Sequence, residues 1–407
     1  MKKFILIILT LWIPVCAFSQ KYTWKKTNFS GTGAVYGLMH HKNMIFAGTA
    51  QGIYTSSDDG ISWEKNAAGI SSGTVYNFRK DSNNTLYAIG GEKIIRSIND
   101  GDTWAQLVID STPVPISYLS NLEVTSEGNL YVIQQSRTGS DSTYLLLSSN
   151  SGSTWNIQST WVKDGINDMK LDAQNSIYIA SGTKGLFYSA DNGVSFLFQE
   201  NLPTIDPGKV FISKTNDVYI DISDGGFCRK NGSSYFEHTN LPLVGDGLLD
   251  MLFLDNGNMY ASTQKHGVFR SDDGINWVQI VTGLHDYFVR SLSQTPSGSV
   301  VCGTSNGEIY SLEVTNSVSE AHGADFCLSQ NPASVYTSIT YILDKPSFVT
   351  SSLVDVQGRV VKQQMKSWMD AGSHEMPLDV SDLPNGVYAV FLRTNDELMT
   401  TKLVVSR

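Results

Sequence analysis

The stretch "SSDDGISW", residues 56–63, sets hydroxyls, two carboxylates, a glycine and a tryptophan within eight positions. Alone, that composition suits a cation loop, a sugar site or a tight turn. Repetition decides among them. "SINDGDTW" (97–104), "SSNSGSTW" (148–155), "SADNGVSF" (189–196) and "RSDDGINW" (270–277) keep the frame, and "CRKNGSSY" (228–235) is a worn copy. Six copies in one chain are an internal repeat, and each then marks one unit of a stacked architecture.

The closing aromatics, Trp63, Trp104, Trp155, Phe196, Tyr235 and Trp277, are spaced by 41, 51, 41, 39 and 42 residues. Around each box runs the same order: an inner segment such as "VYNFRKD", a polar turn "SNN", a segment "TLYAIG", a short loop, a segment "KIIRS", the box and a last segment. Short, turn-bounded runs rich in β-branched and aromatic residues read as strands. Trp24, in "KYTWKKT", lies 39 residues before Trp63 and fits a fourth strand lacking its first three, whereas residues 289–311 supply three strands and no fourth. The fold class expected is all-β: a seven-bladed β-propeller over 20–314, its last blade completed by the N-terminal strand, so that few sheet edges stay open.

Physically the box is a turn between the third and fourth strands of a blade. Ser56 and Asp58 can satisfy turn amides, Gly60 permits a positive φ and Trp63 is an apolar anchor. Ser97, Gly101, Trp104, Gly152, Trp155, Asp191, Gly193, Asp272, Gly274 and Trp277 are the corresponding structural residues of other copies. A metal loop is the weaker reading, because the acid becomes Asn99, Asn150 and Lys230 while the frame survives. No metal site and no cofactor are expected.

These repeats resemble the Asp-box (BNR) repeats of sialidases, sortilin-type receptors and xyloglucan-degrading enzymes, over roughly residues 20–314. The resemblance implies a propeller and no particular activity. Sialidases of that kind use six blades, an Arg-Ile-Pro motif before the first box and three arginines on the substrate carboxylate. Here residues 20–55 contain no arginine, and only Arg137 and Arg290 fall on the face where a ligand is expected. A xyloglucanase of that kind divides its site between two propellers, and this chain has one.

In an up-and-down blade the box turns share an end with the turns between strands one and two. Ligands are expected at the other end, which carries the blade connections and the loops between strands two and three. There Asp164, Asp206, Asp246 and Asp286 each precede an innermost strand, His285 and Tyr287 flank the last of them, and His266 and Arg137 sit on loops. His238 falls on the same face, and a long polar loop, 134–144, accounts for the 51-residue step. This arc offers ligand-binding groups, with Asp206, Asp246 and Asp286 the first candidates for a catalytic acid and base. The competing reading is that Asp favours turns ahead of strands and that loop histidines are simply solvated.

The chain opens "MKKFILIILTLWIPVCAFSQ", in which Lys2 and Lys3 precede an apolar run ending in small residues, the pattern of a signal peptide over 1–19. A lipoprotein anchor at Cys16 ranks second, because "IPV" lacks the expected small residue before the cysteine. No transmembrane segment is expected after cleavage, since a span needs about 20 apolar residues. Cys228, Cys302 and Cys327 would then remain, odd in number and scattered, which suits buried or idle thiols rather than a disulfide framework. With 41% hydrophobic and 17% charged residues the chain can bury a core, and a net charge of −10 without basic clusters excludes a nucleic-acid partner.

Beyond residue 314 the period stops. Residues 315–326, "TNSVSEAHGADF", have linker chemistry, and 327–407 alternate as a small immunoglobulin-like β-sandwich. "NPAS" (331–334), "LVDVQGRVV" (353–361), "AGSHEMPLDVSDLPNGVYAVFL" (371–392) and "TKLVVSR" (401–407) closely resemble the type A C-terminal sorting domain of the type IX secretion system. That resemblance implies passage through the periplasm and across the outer membrane, with the type IX machinery as partner of 327–407 and a secreted or cell-surface product. Within that segment, Gly358 and Gly386 suit turns, Asp355 and Asp379 fix them, and Val404 and Val405 belong to the last strand. The function expected is binding of a glycan or protein without catalysis. The alternatives are a glycoside hydrolase, though not a sialidase, or a purely structural surface component.

Overall fold

The computed structural model describes residues 18–407 except 67–72, 92, 110–117, 136–141, 163–164, 183, 200–201, 203–205, 223–225, 231–235, 239–240, 242–245, 319–325, 357–358 and 395–397. All regular structure in the described residues is β. One compact unit covers Thr23–Glu313, and a second groups the residues up to Tyr22 with Val314–Arg407.

Within the described residues the repeats form seven four-stranded antiparallel sheets. Val35–His41, Met44–Thr49, Gly52–Ser56 and Glu64–Asn66 make the first, and each later repeat builds its own in the same order. In the seventh, Val289–Gln294, Val300–Thr304 and Ile309–Val318 are joined by Phe18–Lys26, which precedes the first repeat. The first strand of each sheet neighbours the first strand of the next, and Val289–Gln294 returns to Val35–His41. A ring of sheets around an axis is a propeller, and here the two ends of the propeller segment share the closing sheet.

Second strands such as Leu86–Gly90 and Ile177–Ser181 are buried almost throughout, because both faces pack against neighbouring sheets. Such strands read as unbroken apolar runs, which "TLYAIG" does. Trp24 is fully buried, and its indole donates to Ile280 O at 2.8 Å, anchoring the N-terminal strand beside the sixth repeat.

The box is a self-contained hydrogen-bonded turn. Ser56 Oγ accepts from Gly60 N at 2.9 Å and donates to Asp58 Oδ1 at 2.8 Å, while Asp58 Oδ1 accepts from Ser62 N at 2.9 Å. The Trp63 indole donates to Gly60 O at 2.9 Å. Ser97 and Asn99, Ser148 and Asn150, and Ser189 and Asp191 repeat the pattern, so a side-chain oxygen is sufficient and a charge is not required. In the sixth sheet the acceptor expected at Asp272 is instead Asp273, which takes Ile275 N and Asn276 N. Ser271 replaces Arg270 in the serine role, so the turn is one residue shorter. The box glycines are dictated by packing as well as φ: at Gly101, φ is 92° and a Cβ would lie 2.3 Å from Phe46 of the preceding sheet.

The second unit has a three-stranded sheet (Phe326–Leu328, Tyr336–Leu343, Gly372–Asp379) and a four-stranded sheet (Ser347–Asp355, Val360–Met369, Gly386–Arg393, Leu398–Val405). Ile339, Tyr341, Val349, Leu353, Leu392 and Leu403 bring both sheets into one core. Asn331 holds the last strand, accepting from Val404 N at 2.8 Å and donating to Lys402 O at 2.6 Å. Arg407 donates to Ser334 O at 3.0 Å and to Val380 O at 2.8 Å, which fixes the C-terminal residue to two loops. Asp355 caps the turn to Arg359, and Asp379 accepts from Ser381 N, but Gly358 lies outside the described residues.

Candidate functional site

The two ends of the propeller differ in what they expose. At one end, turn contacts join neighbours: Ser297 N donates to Asp59 Oδ1 at 2.9 Å, and Lys42 and His41 bond Asp100 at 2.6 and 2.8 Å. These are boxes meeting the strand one to two turns of the preceding sheet. At the other, upper end the starts of first strands meet the strand two to three loops, as in Gln264 N to Gly247 O at 3.1 Å and Ser305 N to Phe288 O at 3.0 Å.

Asp246 and Asp286 occupy that upper end in matching roles. Asp246 accepts from Gly247 N at 2.8 Å and Lys265 N at 3.1 Å, and its Oδ2 lies 2.7 Å from His266 Nδ1. Asp286 accepts from Phe288 N at 3.0 Å and Asn306 N at 2.9 Å. Each carboxylate thus ties a blade connection to the adjoining strand two to three loop. Asp206 is half-buried directly before the strand Pro207–Ile212. Asp164 and Arg137 lie outside the described residues, as do residues 136–141 of the long loop and the His238 side chain.

Asp246 and His266 do come together. The Asp246 side chain is fully buried while the imidazole is half exposed, so a fixed carboxylate holds Nδ1 and leaves Nε2 facing outward. Tyr287 lies beside this pair, its carbonyl accepting from Gly267 N at 3.0 Å. His285 stands edge-on to Tyr310 at 6.3 Å between ring centroids, and Tyr310 donates to Glu308, which also binds Lys26.

A second constellation joins the seventh, first and second repeats. The Arg290 guanidinium carbon is 4.4 Å from the Phe288 ring centroid and 5.0 Å from that of Tyr36, and its Nε donates to Ser305 Oγ at 2.7 Å. Tyr76 packs edge-on against Tyr36 at 5.2 Å. Arg290, Phe288, Tyr36 and Tyr76 are half-buried at the starts of innermost strands. The rings stabilise the cation and hold its plane.

Charges also line the inside of the ring. Arg79 binds Glu123 through Nη2 and Nε at 2.6 and 2.8 Å, and Lys170 reaches the same carboxylate at 3.0 Å. Burial alone would raise the Glu123 pKa, but the Arg79 and Lys170 charges hold it below its usual range. Asp168 accepts from Asn121 Nδ2 at 2.7 Å and from Val210 N at 3.1 Å, and Asp250 accepts from Leu292 N at 2.9 Å, so carboxylates stitch consecutive first strands together. Burial pushes the Asp221 carboxyl up to about 6, with nearby Asp246 adding to the shift, and its Oδ1 is buried without a hydrogen-bond partner.

None of these interior charges stood out in the sequence as a site. The signal was present in the alignment of innermost strands, where Asn77/Arg79, Asn121/Glu123 and Asp168/Lys170 fall at the same two positions of successive repeats. Polar residues recurring at register positions facing an axis mark a lined channel.

Residues 331–406 match the secretion system C-terminal sorting domain, and residues 15–130 match the DUF6242 beta propeller domain. No curated protein matches the chain in sequence. Among solved structures the chain is similar to YCF48 from Cyanidioschyzon merolae at 14% identity, with 71% of this chain and 98% of that one covered and a TM-score of 0.57. A YCF48 structure bound to D1 peptide gives the same score at 12% identity, with 71% and 94% covered. The extracellular domain of the putative one component system BT4673 from B. thetaiotaomicron gives 0.57 at 13% identity, covering 94% of this chain and 59% of that one. The GH74 xyloglucanase from Xanthomonas campestris gives 0.55 at 16%, covering 79% and 60%. At these identities the likeness is one of fold. The chain therefore combines a β-propeller with a C-terminal domain that implies sorting by type IX secretion.

Proposed function

We propose that this chain is an extracellular binding module: a seven-bladed Asp-box propeller over 20–314 that engages a glycan or protein at its upper end without catalysis. A signal peptide over 1–19 and an immunoglobulin-like sorting domain over 327–407, joined by 315–326, take it through the periplasm to the cell surface or medium. The observation that carries the binding reading is the state of the upper-end carboxylates. Asp246 and Asp286 are each held by backbone amides that tie loops together, which suits a rigid platform better than an acid and base poised over a bond. Beside them Arg290, Tyr36, Tyr76 and Phe288 offer a pre-formed aromatic and cationic surface. Glycan-array and peptide-array binding with the purified chain tests this, and loss of capture on replacing upper-end residues, with no product released, is the expected result.

One observation favours a hydrolase as the second reading. At the upper end Asp246, one of the carboxylates considered with Asp206 and Asp286 for acid and base roles, lies 2.7 Å from the half-exposed His266 imidazole, a pairing able to move a proton. Reducing-sugar release abolished in Asp246→Asn would support it.

A further inference from the structure

Resting on the binding reading, and naming its ligand, we propose that Arg290 is the receptor for the carboxylate of an acidic polysaccharide, a uronate-bearing glycan. Phe288 and Tyr36 cover the guanidinium, at 4.4 and 5.0 Å, and Ser305 takes its Nε at 2.7 Å, so one edge is anchored and the rings restrict its plane. Its Nη donors have no hydrogen-bond or ion-pair partner among the described residues. Other well-placed arginines are engaged: Arg79 by Glu123, Arg229 by Asp217 and Asp273 O, Arg359 by Asp355, Arg407 by backbone carbonyls. In a chain with 39 acidic residues and net charge −10, this cation is fixed by aromatics and has no carboxylate partner among the described residues, which suits it to an external carboxylate. Even Asp286, four residues away in sequence, is turned to Phe288 N and Asn306 N.

The chemical class follows from the donor geometry and its surroundings. A guanidinium whose faces are covered binds through its edge, and two Nη donors on one edge match the two oxygens of a carboxylate. Tyr36, Tyr76 and Ser305 bring hydroxyl-bearing side chains to the same constellation, and Tyr287 is 45% exposed at the same end of the propeller. Hydroxyls and exposed rings around a carboxylate receptor suit a sugar acid, whose ring and hydroxyls lie beside its carboxylate. Acidic peptide is the competing class.

The test uses the purified full chain with polygalacturonate, a neutral glucan and polyglutamate as probes, read by isothermal calorimetry. Binding to polygalacturonate that weakens at least about tenfold in Arg290→Gln, the equivalent of about 1.4 kcal/mol, and that weakens with added salt, is expected. Ser305→Ala, which frees the guanidinium edge without removing it, should give a smaller loss. An unchanged melting temperature separates lost binding from lost fold. Polygalacturonate bound equally by wild type and Arg290→Gln would overturn the proposal. Polyglutamate bound as tightly as polygalacturonate would overturn the glycan assignment. Neutral glucan bound equally by both proteins, with no preference for polygalacturonate, would refute the role of Arg290 while leaving the upper end a binding surface; no capture of any probe or array ligand would fail both.

Discussion

Arg79 and Glu123 lie on the first strands of adjacent sheets and close a two-pronged ion pair inside the ring, 2.6 Å from Nη2 to Oε1 and 2.8 Å from Nε to Oε2. Lys170, from the next first strand, shares the same carboxylate at 3.0 Å. Three consecutive repeats therefore meet at one glutamate. Removing that carboxylate leaves two half-buried cations without their shared partner, so Glu123→Gln is expected to cost about 3 kcal/mol in urea unfolding. Because the pair offsets its own desolvation, Arg79→Met with Glu123→Leu should cost less than Glu123→Gln alone; an equal or larger loss would show that the pair adds net stability.

The box turns separate charge from geometry. Asn99 and Asn150 perform the same bonding as Asp58, so Asp58→Asn should leave the thermal midpoint nearly unchanged. Asp58→Ala removes the acceptor for Ser62 N and should cost about 1–2 kcal/mol. Gly101→Ala should be worse than either, since its Cβ would meet Phe46 at 2.3 Å on a backbone with φ of 92°. Thermal denaturation of the three variants ranks them directly, and a Gly101→Ala protein as stable as wild type would contradict the packing described.

Asp221 makes a pH prediction. Its folded pKa, about 6, lies above the ordinary carboxylate value, so the folded state binds the proton more tightly than the unfolded chain. The favourable contribution is complete below about pH 4 and is lost as pH rises through 6. At pH 8 the ionised carboxylate is a penalty of about 2–3 kcal/mol. Asp221→Asn should therefore raise the melting temperature at pH 8 and make little difference at pH 4. A variant less stable than wild type at pH 8 would reverse the sign.

Export rests on the second unit. Asn331 and Arg407 fasten the final strand and the C-terminal residue to neighbouring segments, so the sorting surface is held as part of a folded sheet. Deleting 327–407 should leave the propeller in the periplasm, detected by fractionation and immunoblotting. Surface delivery of that truncation equal to wild type would refute the assignment.

What is legible in the sequence differs by kind of residue. Box spacing and Trp24 led to a ring closed by the N-terminal strand, because a repeated turn is written locally in Ser, Asp and Gly and its anchor in Trp. The shorter sixth turn was not visible, because "RSDDGINW" offers two adjacent acids and only the backbone path selects Asp273 over Asp272. The aspartates before innermost strands were located, yet their occupation by Lys265 N and Asn306 N depends on loops about 20 residues away in sequence. Arg290 could be assigned to the upper end, but Tyr36, on which it stacks, is more than 250 residues away and met only through ring closure.

Binding without turnover is measured by following ligand and product together. The purified full chain is incubated with the polysaccharide or peptide it captures from the arrays, and bound ligand and newly formed ends are quantified over time. Saturable binding, weakened in Arg290→Gln, is expected, with no ends released above a protein-free control. Steady release abolished by Asp286→Asn or Asp246→Asn would contradict binding without turnover and identify a hydrolase.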